Sequence, residues 1–557
     1  MTEPRDGNND RLAKHSNQVA AGIVLSRIFG VLREALFGAF LGTGAAADAF
    51  RAALRIPNLL QNLLGEGVLS ASFIPVYARL VDEGREREAG ALAGATAAFL
   101  ALLVTVVVTL GMLFAEPLAK ILTPGFNDGG ERFALTVTLV RVVFPGVGLL
   151  VLSAWCLGVL NAHRQFFVSY VAPVFWNIAI IAAVLTSAIA GGTDTNIAYA
   201  AAVGTVIGAF LQFVSQLPRL RRTAKHIVFR LTFSIEGVRE VFTRFGTVVL
   251  GRGSVQIASY IELAIASLLA AGTLAALGYA QVLYLLPIAV FGMSVAAAEL
   301  PELSTRNAGV IENAQPKIER AFGRVAFFVA PSAVMLIVAG DHIVALLYQG
   351  VRFSVDDVQH VGIIVSLYGF ALLAATSSRV LQSVLFAVGD VRSPAVFALL
   401  RVLTGLGIAL VLIFPLDAWQ IGVNGITQVR EASFGVTPLD ERASLESLRR
   451  LGVLGLVAGS VVGAWLEYGL LRRRVVKLGL TVRIGGDSRR AVFVAAVLTA
   501  AAGVLLRIFV PFGSGTKFGG VPLLLAMAAI YLWVTLSYQV DDANRLRAAL
   551  TRLKWRR

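Results

Sequence analysis

About fourteen apolar stretches, each close to 20 residues long and parted by short charged connections, run through the chain. A helix rises about 1.5 Å per residue, so each stretch matches the roughly 30 Å of hydrocarbon in a bilayer. Lipid offers the backbone no hydrogen-bond partner and a helix satisfies its own amides, so the pattern specifies an all-α polytopic membrane protein. Composition agrees. Of 557 residues, 57% are hydrophobic and 15% charged, whereas a soluble globular chain carries about 25% charged. A soluble enzyme is excluded.

The first two spans fall near 17–41 and 56–78, the seventh and eighth near 241–270 and 274–299, and the last two near 490–512 and 519–540. Connections after even-numbered spans are basic, as at Arg79, Arg85 and Arg87, at Arg219, Arg221 and Arg222, at Arg306 and Lys317, and at Arg472, Arg473 and Arg474. Those after odd-numbered spans are mostly poor in Lys and Arg, as from Gly191 to Asn196. The positive-inside rule therefore puts both termini in the cytoplasm, and the basic segment Arg545 to Arg557 agrees. The net charge of +15 is assigned to orientation and contact with membrane phospholipid headgroups, not to nucleic acid. Nothing at the N-terminus has the pattern of a cleavable signal peptide. One long non-cytoplasmic connection, Asp417 to Arg449, is expected to be a surface loop or a short amphipathic helix.

Gly42-Thr43 followed by Pro57 returns as Gly272-Thr273 followed by Pro287, and Ile74-Pro75-Val76 has a counterpart in Leu300-Pro301-Glu302. Either short matches coincide, or two six-helix halves descend from one. The second reading divides the chain into a cytoplasmic tail at 1–16, an N-lobe at 17–230, a C-lobe at 231–475 containing the insert 417–449, a helix pair at 476–541 and a basic tail at 542–557. Bundles repeated in this way rock about a cleft, so transport is the first hypothesis.

An ionisable side chain inside a span costs at least about 2.5–3.5 kcal/mol, and it turns toward a bundle interior or water. Arg27 and Glu34 share a helical face, with Arg33 about 120° round from Arg27. Asn58, Asn62, Glu66 and Ser70 form an i, i+4 ladder with Gln61 beside it, and Arg252 heads a similar polar stripe with Gln256, Ser259 and Glu262. These residues outline a polar cavity in which arginine forks take phosphate oxygens. The competing reading pairs Arg27 or Arg33 with Glu34 or Glu66 to hold helices together, or lets them snorkel. Arg141, Arg379, Arg401, Glu467 and Arg507 are assigned structural roles. Gly30, Pro57 and Pro287 are expected as bending points.

The lone Cys156 and five scattered histidines have no ligand spacing, so no metal site is expected. No phosphate-cradling loop is present, so an ATPase is not expected and no cofactor is implied. Any driving force is then the membrane potential or a monovalent cation gradient, with Glu262 and Glu467 as candidate coupling residues.

The run from Ser26-Arg27 through Gly30 to Arg33-Glu34, then Gly42-Thr43 with Asp48-Ala49-Phe50, Arg55-Ile56-Pro57-Asn58 and Gly65-Glu66-Gly67, closely resembles the N-terminal signature of the MurJ/MviN family. Ala172-Pro173-Val174 with Asn177, and Gly389-Asp390 through Pro394, resemble it further on. Members are lipid II flippases of peptidoglycan synthesis, so the resemblance implies two six-helix lobes about a cationic cavity and a lipid-tail groove formed by spans 13 and 14. It implies an undecaprenyl-diphosphate glycolipid as cargo, a multi-pass bacterial inner-membrane location and possible contact with the cell-wall synthesis machinery. Arg27 and Arg33 match the family's cavity arginines, while Asp48 and Glu66 match acidic positions in its first loop and second span. Two departures stand out. Gln61-Asn62 replaces an arginine pair, and Ala280-Gln281-Val282-Leu283 lacks the eighth-span arginine. Arg252 and Arg55 are the residues expected to compensate for the missing positive charge. Readings that compete with flipping lipid II are export of another undecaprenyl-linked glycan and a non-transporting scaffold for cell-wall enzymes. A drug antiporter would want an acidic cavity, and a membrane transferase would want acid-rich metal motifs.

Overall fold

A computed structural model describes residues 6–127, 129–289, 310–422, 425–439, 449–483, 486–510 and 516–554. Among the described residues, the regular structure is helical apart from one hairpin. Two compact units divide it, Met1–Leu268 and Leu269–Arg557.

The first unit holds α1 (Asp6–Leu41), α2 (Ala45–Leu64), α3 (Glu66–Ser72), α4 (Ile74–Asp82), α5 (Glu86–Leu113), α6 (Ala115–Leu122), α7 (Glu131–Ala162), α8 (Phe166–Ile189), α9 (Asp194–Thr223) and α10 (Val238–Ser267). Helix α7 is its axis, buried against α2, α5 and α9. Helix α10 packs on α2, α3, α5 and α6, and so belongs to this unit. The α8–α9 contact depends on small residues: Cβ atoms on Gly204 and Gly208 would come within 2.8 Å of Ala183 and 2.7 Å of the Trp176 carbonyl oxygen.

The second unit holds α11 (Thr273–Pro287), α12 (Val310–Tyr348), α13 (Val355–Ala387), α14 (Arg392–Leu416), α15 (Val453–Lys477), α16 (Gly486–Phe509), α17 (Val521–Ser537) and α18 (Asp541–Lys554). Gly455, Gly459 and Gly463 line one face of α15, and a Cβ on Gly459 would stand 2.1 Å from the Gly405 carbonyl oxygen of α14. Arg507 of α16 clamps Asp341 of α12 with two hydrogen bonds of 2.8 and 2.7 Å.

Among the described residues, ten segments are long and apolar enough to cross a membrane, or eleven if α17 and α18 form one broken span. The remaining expected spans correspond to α1 and α10, which carry more polar residues, and to α11, a shorter apolar helix. The second half of the expected eighth span and the Leu300-Pro301-Glu302 repeat fall outside the described residues.

Several boundaries differ from expectation. The second span starts at Ala45 instead of near 56, because Asp48, Arg51 and Arg55 lower its hydropathy. Asp48, expected in a loop, therefore lies in the first turn of α2. Helix α1 begins at Asp6, within the expected tail, and continues through Gly30 without a break. Helix α2 likewise continues through Pro57, and Pro287 is the last residue of α11. The break falls at Gly65, where a Cβ would lie 2.3 Å from the Gln61 carbonyl oxygen. The duplicated Gly-Thr pairs are alike in backbone: Gly42 and Gly272 take φ +64° and +89°, and Thr43 and Thr273 are buried.

The long connection is neither plain loop nor amphipathic helix where it is described. It forms an antiparallel hairpin of β1 (Trp419–Gly422) and β2 (Gly425–Gln428), with Gln420 bridged to Arg450. Buried Asp417 anchors it, accepting from Thr437, and burial pushes that carboxyl above the usual range.

Candidate functional site

The first unit's most buried ion pairs among the described residues lie on α1, α2 and α7, with α8 beside them. Glu34 is 4% exposed, a depth at which a carboxylate needs partners. It has two. Arg33 donates Nη2–H to Oε1 at 2.7 Å, and Arg51 of α2 donates Nη2–H to Oε2 at 2.5 Å. Arg33 also donates Nη1–H to Asn177 Oδ1 of α8 at 3.0 Å. The amide of Asn177 is itself oriented, since its Nδ2 donates to the Pro173 carbonyl.

Aromatic faces complete the setting. The Arg33 guanidinium lies 4.7 Å from the Trp176 ring centroid, and both Arg33 and Arg51 border Phe37. The buried Nε of Arg33 has no hydrogen-bond partner among the described residues. Asp48, 1% exposed, takes Nη1–H of Arg132 from α7 at 3.2 Å, and that guanidinium lies over Phe126 at 3.9 Å.

Arg33, Glu34 and Asp48 thus lie in paired, buried surroundings. Arg27 is exposed and has no hydrogen bond or ion pair among the described residues. Asn58, Asn62, Glu66 and Ser70 are all exposed, the first two on α2 and the last two on α3 beyond the non-helical Gly65. Arg55 is half-buried and its carbonyl accepts from Tyr260 of α10 at 3.3 Å. The side chains of Arg252 and Pro57 fall outside the described residues. Sequence reasoning missed Arg51 and Arg132. The first is 17 positions from Glu34 and the second 84 from Asp48, on other helices, where helical spacing gives no signal.

The second unit has its own buried acid. Glu467, 1% exposed, accepts from Arg401 at 2.9 Å and from Gln382 at 2.8 Å, tying α13, α14 and α15 together. Its carboxylate is thereby already engaged by protein donors. In the turn between α13 and α14, the Asp390 carboxyl is held down at about 2 by Ser393, through backbone and hydroxyl, and by Arg474.

Comparison with known proteins follows from this architecture. A family model, lipid II flippase MurJ, matches residues 37–453. A probable lipid II flippase MurJ of Rhizobium tropici is 33% identical over 414 residues, 73% of this chain and 76% of the relative. The lipid II flippase MurJ of Burkholderia cenocepacia is 29% identical over 386 residues, 68% and 74% of the two chains. A solved lipid II flippase MurJ in an inward closed conformation has a TM-score of 0.72 at 19% identity, covering 95% of this chain and 99% of the other. An inward-facing multidrug transporter of the MATE family gives 0.58 at 17% identity, covering 82% and 95%. These two structural likenesses establish a common fold, all-α and multi-pass, and the family match makes the chain a membrane transporter. More narrowly, the chain belongs to the lipid II flippase MurJ family.

Proposed function

We propose that the chain moves lipid II, an undecaprenyl-diphosphate-linked peptidoglycan precursor, from the inner to the outer leaflet of the bacterial inner membrane by alternating access. The carrying observation is the part-buried Arg33 guanidinium, oriented by Glu34, Asn177 and Trp176, with its Nε without a hydrogen-bond partner among the described residues. Such a fork is set for a phosphate oxygen at low cost in reorganisation. Glu34 supplies the means of release. A diphosphate approaching Arg33 and Arg51 competes with a carboxylate of the same chain, which retakes the guanidiniums when the substrate leaves. Arg27 and the stripe of Asn58, Asn62 and Glu66 offer exposed polar contacts for the head, with Arg55 and Arg252 adding charge.

The driving force in this reading is the membrane potential or a monovalent cation gradient, without ATP. Outward movement of an anion gains about 2.3 kcal/mol per charge per 100 mV. Both termini lie in the cytoplasm, where contact with cell-wall synthesis enzymes is open to the protein.

Gln61 and Asn62, standing where the resemblance leads one to expect an arginine pair, favour one second reading, export of a different undecaprenyl-linked glycan. Complementation of a strain depleted of its lipid II flippase separates the two. Rescue that Arg33→Ala and Arg27→Ala both destroy supports lipid II. No rescue despite normal membrane expression overturns it in favour of another glycan.

A further inference from the structure

A cavity of about 350 Å³ opens in the second unit between the early turns of α12, the start of α16 and the turn from α17 into α18. The turn is sharp, 114°, and passes through Gln539 at φ +53°, a left-handed conformation seldom taken by a non-glycine residue. Burial holds it there. Val540 and Ala543 pack with Phe327, Val492 and Tyr531, while the Gln539 and Val540 amides cap the end of α17. The strained turn brings Asp541, Asp542 and Arg545 to the same cavity wall as Glu319, Arg320 and Arg324 of α12.

Three guanidiniums and three carboxylates therefore face one space. Arg324 Nε stands 3.8 Å from Asp542, Glu319 accepts from Gln315 at 2.8 Å, and Arg320 donates to the Pro316 carbonyl at 3.2 Å. A purely anionic ligand would meet three carboxylates, and a purely cationic one three arginines. A small head bearing one phosphate and one primary ammonium finds a complement for each charge. The surroundings are those of a bilayer interface: Trp533 and Tyr538 are exposed beside the turn, and Phe493 and Val497 expose an apolar track along α16.

We propose that this cavity binds the head of an aminophospholipid, its phosphate on Arg320, Arg324 and Arg545, its ammonium on Glu319, Asp541 and Asp542, and its acyl chains along α16. A quaternary ammonium cannot donate hydrogen bonds to those carboxylates, so phosphatidylcholine binds less well.

The test offers the purified full chain equimolar phosphatidylethanolamine, phosphatidylcholine and phosphatidylglycerol and counts retained lipids by native mass spectrometry. Phosphatidylethanolamine should be retained over each of the others by a factor on the order of five. Gly323→Phe should abolish that preference without changing charge, since an added Cβ at Gly323 meets open space at the cavity wall. The pair Glu319→Gln and Asp541→Asn should shift retention toward phosphatidylglycerol. Soluble glycerophosphoethanolamine, the same head without chains, should displace little. Equal retention of the three lipids, a preference that survives Gly323→Phe, or displacement by the soluble head as effective as by the lipid would each overturn the proposal.

Discussion

Glu34 of α1 and Arg51 of α2 form a 2.5 Å ion pair across 17 positions of sequence, and the other oxygen of the same carboxylate holds Arg33. One buried acid thus fixes two arginines on two helices. Without Arg51, the adjacent Arg33–Glu34 pair would be a local event within α1. With it, the pair joins two spans.

Replacing Glu34 by Gln leaves two guanidiniums buried without their counter-charge. Breaking a buried pair on one side costs about 3–5 kcal/mol. Thermal unfolding of Glu34→Gln in detergent should therefore begin well below wild type. The double variant Glu34→Gln/Arg51→Gln should recover part of the loss. A double variant no more stable than the single one would show that the pair is not coupled.

Arg33→Lys keeps the charge but loses the planar fork and the stacking on Trp176. A hydrogen bond involving a charged group is worth about 1.5–3 kcal/mol, so flipping in proteoliposomes should fall by roughly ten- to a hundredfold. Arg33→Ala should fall at least as far. Wild-type rates in the lysine variant would mean that charge alone suffices.

The sequence made the all-α membrane architecture legible because each span must satisfy its own backbone in lipid, which writes hydrophobicity into long unbroken runs. The i, i+4 ladder from Asn58 to Ser70 presumed one unbroken helix, whereas the backbone leaves the helical region at Gly65. The partners of the buried acids were not legible. Asp48 with Arg132, and Glu34 with Arg51, meet through tertiary packing that no local spacing encodes. The start of α2 was hidden as well, because these paired charges depress hydropathy where they are most buried. The hairpin at 419–428 lacked signal because its strands are four residues each.

The α14–α15 contact offers a purely steric test. In Gly459→Ala the new methyl would stand 2.1 Å from a backbone oxygen of Gly405, so the helices must separate. Overpacking of this kind costs about 1–3 kcal/mol. The yield of folded protein and its resistance to trypsin should both drop. Ala at Gly407, where nothing lies within 4 Å, should leave both unchanged.

Acid should loosen the connection between α13 and α14. The Asp390 carboxyl sits at about 2, below its ordinary 3.8, because Ser393 and Arg474 bind the ionised form. Its contribution is complete above the ordinary carboxylate range and is lost as pH falls through about 2. Pepsin digestion should spare residues 388–393 at pH 4 and cut there near pH 2. Asp390→Asn should be cut at both. Identical patterns for the two proteins would remove the claim.

Gly42 and Gly272 each turn the chain through a left-handed corner that any side chain would strain. A saturation library should accordingly reveal twin intolerant sites 230 positions apart, each followed by a threonine hidden from solvent. Such doubled fragility would be visible in growth phenotypes alone.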